Sequence, residues 1–244
     1  MTKPFDIFSP ELKTQLFKNS NTRKRTHHSQ SVIYPICQLR GLIEAIKTEK
    51  DPIKTIRYLV DCSRNLWFAK EGRPSKTTPE HFKMTGESDK AARCLAAGNI
   101  EFSADYNRII MVNHKSGDFS PEFESIQWLL AILIANEPCL EKLSIQLDEN
   151  LRIEHLTHTG GFQNLYVVSS ADLKLWFANT IPIAAIGLTN QPTETKEVTY
   201  EPTSSFEQPL RLFDDQKKSS RQRLFAVDHE TDDVCEDSIG MALK

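Results

Sequence analysis

Residues 93–137 constrain the fold more than any other part of this chain. Two short apolar runs, 99–103 and 108–113, are rich in β-branched and aromatic residues and flank the polar Ala104-Asp105-Tyr106-Asn107. Such runs joined by a four-residue polar link read as a β-hairpin. A polar loop follows, His114-Lys115-Ser116-Gly117-Asp118-Phe119, holding the only glycine between Gly98 and Gly160. Ser120-Pro121-Glu122 then reads as a helix start, with a hydroxyl at the N-cap, proline at the first helical position and an acid near the positive dipole end. Phe123 at the third position rules out a full capping box. Phe123, Ile126, Leu129, Leu130, Leu133 and Ile134 recur at helical spacing, and Pro138 is the expected stop. The unit expected is hairpin, polar loop, buried helix.

The rest of the chain is punctuated less clearly. Residues 1–30 read as peripheral, with a short amphipathic piece at 10–17 and a basic linker containing Arg23-Lys24-Arg25. Apolar spacing predicts a helix over 32–47 and a second from Asp51-Pro52 that turns Ile53, Ile56, Tyr58, Leu59 and Val60 inward, the two forming an antiparallel pair. Leu66-Trp67-Phe68-Ala69 is a buried strand or the end of that second helix. Residues 70–79, with one glycine, two prolines and three bases, form a loop. Ser88 is expected to cap a helix through Ala97, closed by Gly98. Strands are expected at 140–147, 151–156 and 165–168, a helix from Ser170, and an apolar closing segment at 181–188. Without a βαβ rhythm, the expected class is α+β: a helical N-terminal half packed on a small antiparallel sheet with a central buried helix, plus a disordered C-terminal tail.

A chain of 244 residues, 39% hydrophobic, can build one globular core, here placed at 31–189. The formal net charge of −3 gives no overall pull toward nucleic acid, and no nucleic-acid partner is expected. Charge is uneven: residues 190–244 carry 12 acids against 7 bases. That acidic segment, rich in Pro, Thr, Ser, Glu and Gln, reads as a disordered tail, with a short recognition helix a further expectation near 209–226. Five scattered cysteines without a Cys-x-x-Cys pair fit a reduced compartment. The first residues lack a basic-then-apolar leader, and no apolar run is long enough to span a bilayer, so a soluble, cytoplasmic chain is expected.

The sharpest chemical candidate is the loop 113–119. Asn113, Lys115 and Gly117 are expected to bind a ligand, and His114, Ser116 and Asp118 to carry out the chemistry. Backbone N–H groups, a hydroxyl and an ammonium ahead of a helix suit an anion, and His114 is an acid–base group by type. Asn, Ser, Gly and Asp are equally what a tight turn needs. The second candidate is the loop reaching His81, where Lys70, Arg73 and His81, with Glu71, are expected to line a phosphate-bearing ligand. His155 and His158 have a spacing that invites a metal, but His155 falls in an expected strand, and no metal site is assigned. Cys94 and Cys37 are thiols that could pair with His114 across the fold. No residue pattern names a cofactor.

The run Ala96-Ala97-Gly98-Asn99-Ile100-x-Phe102, continued by Ile110-x-x-Asn113-x-x-Ser116-Gly117-Asp118-Phe119-x-Pro121, resembles a hairpin-and-loop pattern of secreted bacterial proteins. It is similar to type IV secretion (Dot/Icm) effectors of the Legionella type and to some polymorphic toxins, whose loop reads N-x-x-S-G-H/D-Y/F-x-P. Asp118 stands where many of them have His, so any role of that His does not carry over. The resemblance covers residues 96–121 and implies secretion by a non-Sec route into a host cytosol, with the tail as export signal. Three functions follow as expectations: an effector that binds or modifies a host protein or other host component; an enzyme acting on a phosphate-containing or nucleotide substrate through the 113–119 loop; and a non-catalytic phosphate- or phosphoinositide-binding module.

Overall fold

Strands, not helices, build most of the N-terminal half. The computed structural model describes residues 1–9, 11–20, 30–73, 78–87, 90–157, 161–180 and 196–199. A four-residue helix α1, Pro4–Ile7, and a short strand β1, Phe17–Lys18, come first, and residues 11–16 are not helical. Strand β2, Gln30–Pro35, occupies the start of the helix expected over 32–47. The Pro35 ring disfavours helical backbone at Tyr34, so helix begins only after it. A 3-10 turn at Ile36–Gln38 leads into α2, Leu39–Lys47, which buries Leu39, Leu42, Ile43 and Ile46 as one stripe.

The helix expected from Pro52 is instead strand β3, Thr55–Val60, antiparallel to β4, Leu66–Lys70. Residues 56–60 are all buried, and a run buried on both faces has no period that separates strand from helix. Asp61 closes the hairpin by accepting the N–H groups of Ser63 (2.8 Å) and Asn65 (2.9 Å) and Nε1–H of Trp67 (2.9 Å). A 3-10 segment, His81–Thr85, follows. The helix expected over 88–97 is also replaced by strands, β5 at Arg93–Cys94 and β6 at Ala96–Phe102, with residues 88–89 outside the described set. Ala96-Ala97-Gly98 is compatible with helix, but its small side chains serve close strand approach: a Cβ on Gly98 would lie 2.0 Å from the carbonyl oxygen of Asn113.

The expected hairpin is present, β6 pairing with β7, Arg108–Asn113. Ser120 does not cap a helix; its φ is 44°, and a 3-10 turn at Phe123–Ser125 precedes α3, Ile126–Ala135, and α4, Glu137–Lys142. Residues 126–133 of α3 are all buried, the central helix expected. The strand expected at 140–147 starts as α4. It then merges with the next into one strand, β8, Gln146–Leu156, whose register on β7 jumps from Leu147 opposite Ile109 to Arg152 opposite Met111. The turn-forming residues 148–150 are thus a bulge. Strand β9, Phe162–Ser169, helix α5, Ser170–Thr180, and strand β10, Lys196–Thr199, complete the described elements.

The sheet has eight strands in the order β10-β2-β4-β3-β6-β7-β8-β9. Every neighbouring pair is antiparallel except β7 and β8, which α3 and α4 connect as a parallel crossover. The architecture is α+β on a large mixed sheet, which corrects both the helical N-terminal half and the small antiparallel sheet. The described residues all belong to one compact unit. The basic 21–29 segment, the apolar 181–188 segment and the region 209–226 lie outside the described residues.

Alternation along the strands sends side chains to two cores. Ile56, Tyr58 and Val60 of β3, with Leu66 and Phe68 of β4, join α2, α3 and α5 in the larger one. Leu59, Trp67, Ala69 and Ala97 point to the opposite face, where Phe82, Met84 and Phe119 cover them. Phe82 and Phe119 therefore pin the His81–Thr85 segment and the 114–119 loop to the same side of the sheet.

Candidate functional site

Strand parity places three polar side chains beside that smaller core. Arg57 follows Leu59 in alternation on β3, Asn99 follows Ala97 on β6, and Glu71 follows Ala69 just beyond β4. With Glu80, His81, Lys115, Gly117 and Asp118 they line one cavity of about 190 Å³. The two loops singled out from the sequence thus meet, although they are more than thirty residues apart along the chain.

Arg57 is the fixed post of this cavity. It is only 8% exposed, and a buried guanidinium needs its donors matched. Nε and Nη2 donate to the two carboxylate oxygens of Glu71 (2.7 and 3.2 Å), Nη2 also to Gly72 O (2.7 Å), and Nη1 to Pro79 O. With its amide nitrogen turned toward the acceptors, Asn99 donates to Glu71 Oε2 (3.2 Å) and Gly98 O (3.0 Å). Asp118 Oδ2 accepts the N–H of Phe82 (3.2 Å), tying the 114–119 loop to the 81–85 segment. The Asp118 carbonyl also accepts the N–H of Ser20 (2.8 Å).

Two histidines of opposite use flank this loop. His81 Nε2 lies 3.1 Å from Gly98 O. A carbonyl only accepts, so Nε2 carries the proton and Nδ1 is the bare nitrogen. Burial first, then the Arg57 charge, hold this imidazole below the usual histidine pKa, while Gly98 O, Asp118 and Glu71 pull the other way. His114 has both ring nitrogens engaged: Nδ1–H donates to Pro121 O (2.8 Å), and Nε2 accepts the N–H of Leu156 (3.0 Å). It is neutral, held below its usual pKa chiefly by burial, and stitches the crossover loop to the end of β8. As it stands it has no nitrogen for a substrate, and it lines a different cavity.

The remaining sequence candidates divide the same way. Asn113 is buried and structural: its Oδ1 accepts the N–H groups of Asn99 (3.2 Å) and Lys115 (3.1 Å), and its Nδ2 donates to Glu154 (3.1 Å). Ser116 Oγ accepts the N–H of Phe119 (3.3 Å) inside the turn. Lys70 pairs with Glu49 at 2.5 Å, away from the cavity, and the exposed Arg73 is not in its wall. Cys94 is buried in the smaller core with its thiol pushed well up by burial, a poor nucleophile. His158 is outside the described residues, among which no three His, Cys, Asp or Glu side chains are arranged to hold a metal. The cavity residues not singled out from sequence are Arg57, Glu80 and Asn99. One signal was present: an arginine inside the apolar run Thr55–Val60 must find a carboxylate.

No protein-family model, curated protein or solved structure matches this chain. Among the described residues no helix is long and apolar enough to cross a membrane.

Proposed function

We propose that the chain binds a small hydroxyl-bearing ligand, about the size of one sugar ring, in the cavity between the 81–85 segment and the 115–118 loop, and that His81 takes a proton from it there. The reading is carried by one observation: a proton-free imidazole nitrogen, the Asp118 carboxylate and the Lys115 ammonium belong to one cavity built by five separate segments. Such a set suits general acid–base chemistry, with His81 as base and Asp118 orienting a ligand hydroxyl. The cavity, about 190 Å³, is smaller than the roughly 300 Å³ at which pockets for drug-sized ligands begin, which supports one ring over a whole nucleotide.

Charge favours an uncharged group in the cavity. Glu71, Glu80 and Asp118 line it, and Arg57 is held by Glu71 and two carbonyls. Lys115 is exposed and is the natural counter-ion for a phosphate carried by the same ligand, so a nucleotide fits as sugar inside and phosphate outside. A pure phosphate-binding module draws less support, because the buried cation is already matched.

Delivery into a host cell, with the ligand part of a host component, rests on the resemblance over 96–121. It is checked with a translocation reporter fused to the chain with and without residues 190–244. Export that survives the deletion unchanged would remove the tail from that reading. The ligand reading is tested by ligand-observed NMR with free pentoses, hexoses and nucleosides on the wild type, Asp118→Asn and His81→Gln. Saturable binding weakened about tenfold in Asp118→Asn, the worth of one charge-assisted hydrogen bond, is expected. Equal binding by all three proteins, or by none, contradicts it.

A further inference from the structure

The crossover loop has a second cavity on its other side, about 300 Å³, formed around His114, Glu122, Phe123, Glu124, His155 and Gln163. Its aromatic wall is ordered: Phe123 stacks on His155 with centroids 4.2 Å apart and planes 23° apart, and His114 stands edge-on to Phe123 at 5.8 Å. Among the described residues no lysine or arginine lines it. Glu122 and Glu124 are exposed carboxylates that make no ion pair or hydrogen bond with the described residues. His155 Nδ1 is buried without a hydrogen-bond partner. In the first cavity the carboxylates have donors already; here two carboxylates have none among the described residues.

Unmatched negative charge beside an apolar aromatic wall attracts a cation. A metal ion would need three converging ligands, and no such group exists among the described residues. An organic cation meets both needs. We propose that this cavity binds an alkylammonium or alkylguanidinium group, its N–H donors directed to Glu122 and Glu124 and its aliphatic stem along Phe123. The volume suits an arginine side chain better than a bare ammonium ion. A free diamine and a basic side chain of another protein share this chemistry.

Isothermal titration of the full chain with agmatine, putrescine and the tripeptide Gly-Arg-Gly tests this. Saturable binding of agmatine or the peptide is expected, weakened about tenfold by Glu122→Gln/Glu124→Gln. Tighter binding of the tripeptide than of agmatine identifies a protein partner; the reverse identifies a free amine. Asp118→Asn, in the first cavity, leaves this binding unchanged, so the two sites fail or stand separately. No saturable binding by any probe, or binding indifferent to the double substitution, overturns the proposal.

Discussion

Gly98 has no room for a side chain. The atom a side chain would meet, the carbonyl oxygen of Asn113 at 2.0 Å, belongs to the backbone of the partner strand and cannot swing aside. Gly98→Ala should lower stability by about 1–3 kcal/mol, the usual range for an overpacked core, measured by urea unfolding. His81 and His114 set the acid response. Burial holds both below the ordinary value of 6.5, so the unfolded chain binds more protons than the folded one between the lowered pKa values and 6.5. Their contribution is therefore complete above about pH 6.5 and lost as pH falls below it. Urea midpoints taken from about pH 7.5 down to pH 5 should fall, and His114→Asn should flatten that fall. Residue type in a polar loop was enough to single out Asp118, Lys115, Gly117 and His81. It also singled out His114, because two backbone partners for one imidazole leave no trace in sequence. Arg57 and Asn99 became visible only with strand register.

Among the elements, local signals were legible and buried strands were not. The β6–β7 hairpin and α3 follow directly from a polar link, alternating apolar residues and a helical stripe. β3 and β4 have apolar residues on both faces, so their run satisfied a helical template as well as an extended one. The bulge in β8 looked like a turn because Asp148-Glu149-Asn150 has turn chemistry, whereas pairing with β7 on one side and β9 on the other keeps it in the sheet. α3 is buried from Ile126 to Leu133, so Leu130→Ala should cost about 2–5 kcal/mol, again by urea unfolding. Lys70 belongs to an ion pair with Glu49 near the surface. Lys70→Ala should cost under about 1 kcal/mol and leave binding in the first cavity unaltered, which a titration of the variant checks.

Across the whole molecule, the site exists because a large mixed sheet has two covered faces. α2, α3 and α5 take one; Phe82, Met84 and Phe119 take part of the other, and where that apolar cover stops, Arg57, Glu71 and Asn99 meet His81 and Asp118. None of this juxtaposition is local, which is why the two loops could be nominated separately from sequence but not joined. The most direct test needs no ligand. Histidine NMR titration gives the His81 pKa in the wild type and in Asp118→Asn, which keeps an oxygen to accept the Phe82 N–H. Because the Asp118 carboxylate supports the His81 cation, His81 should titrate below 6.5 in the wild type and lower still in the variant. An unchanged His81 pKa would mean that the two groups do not share a site.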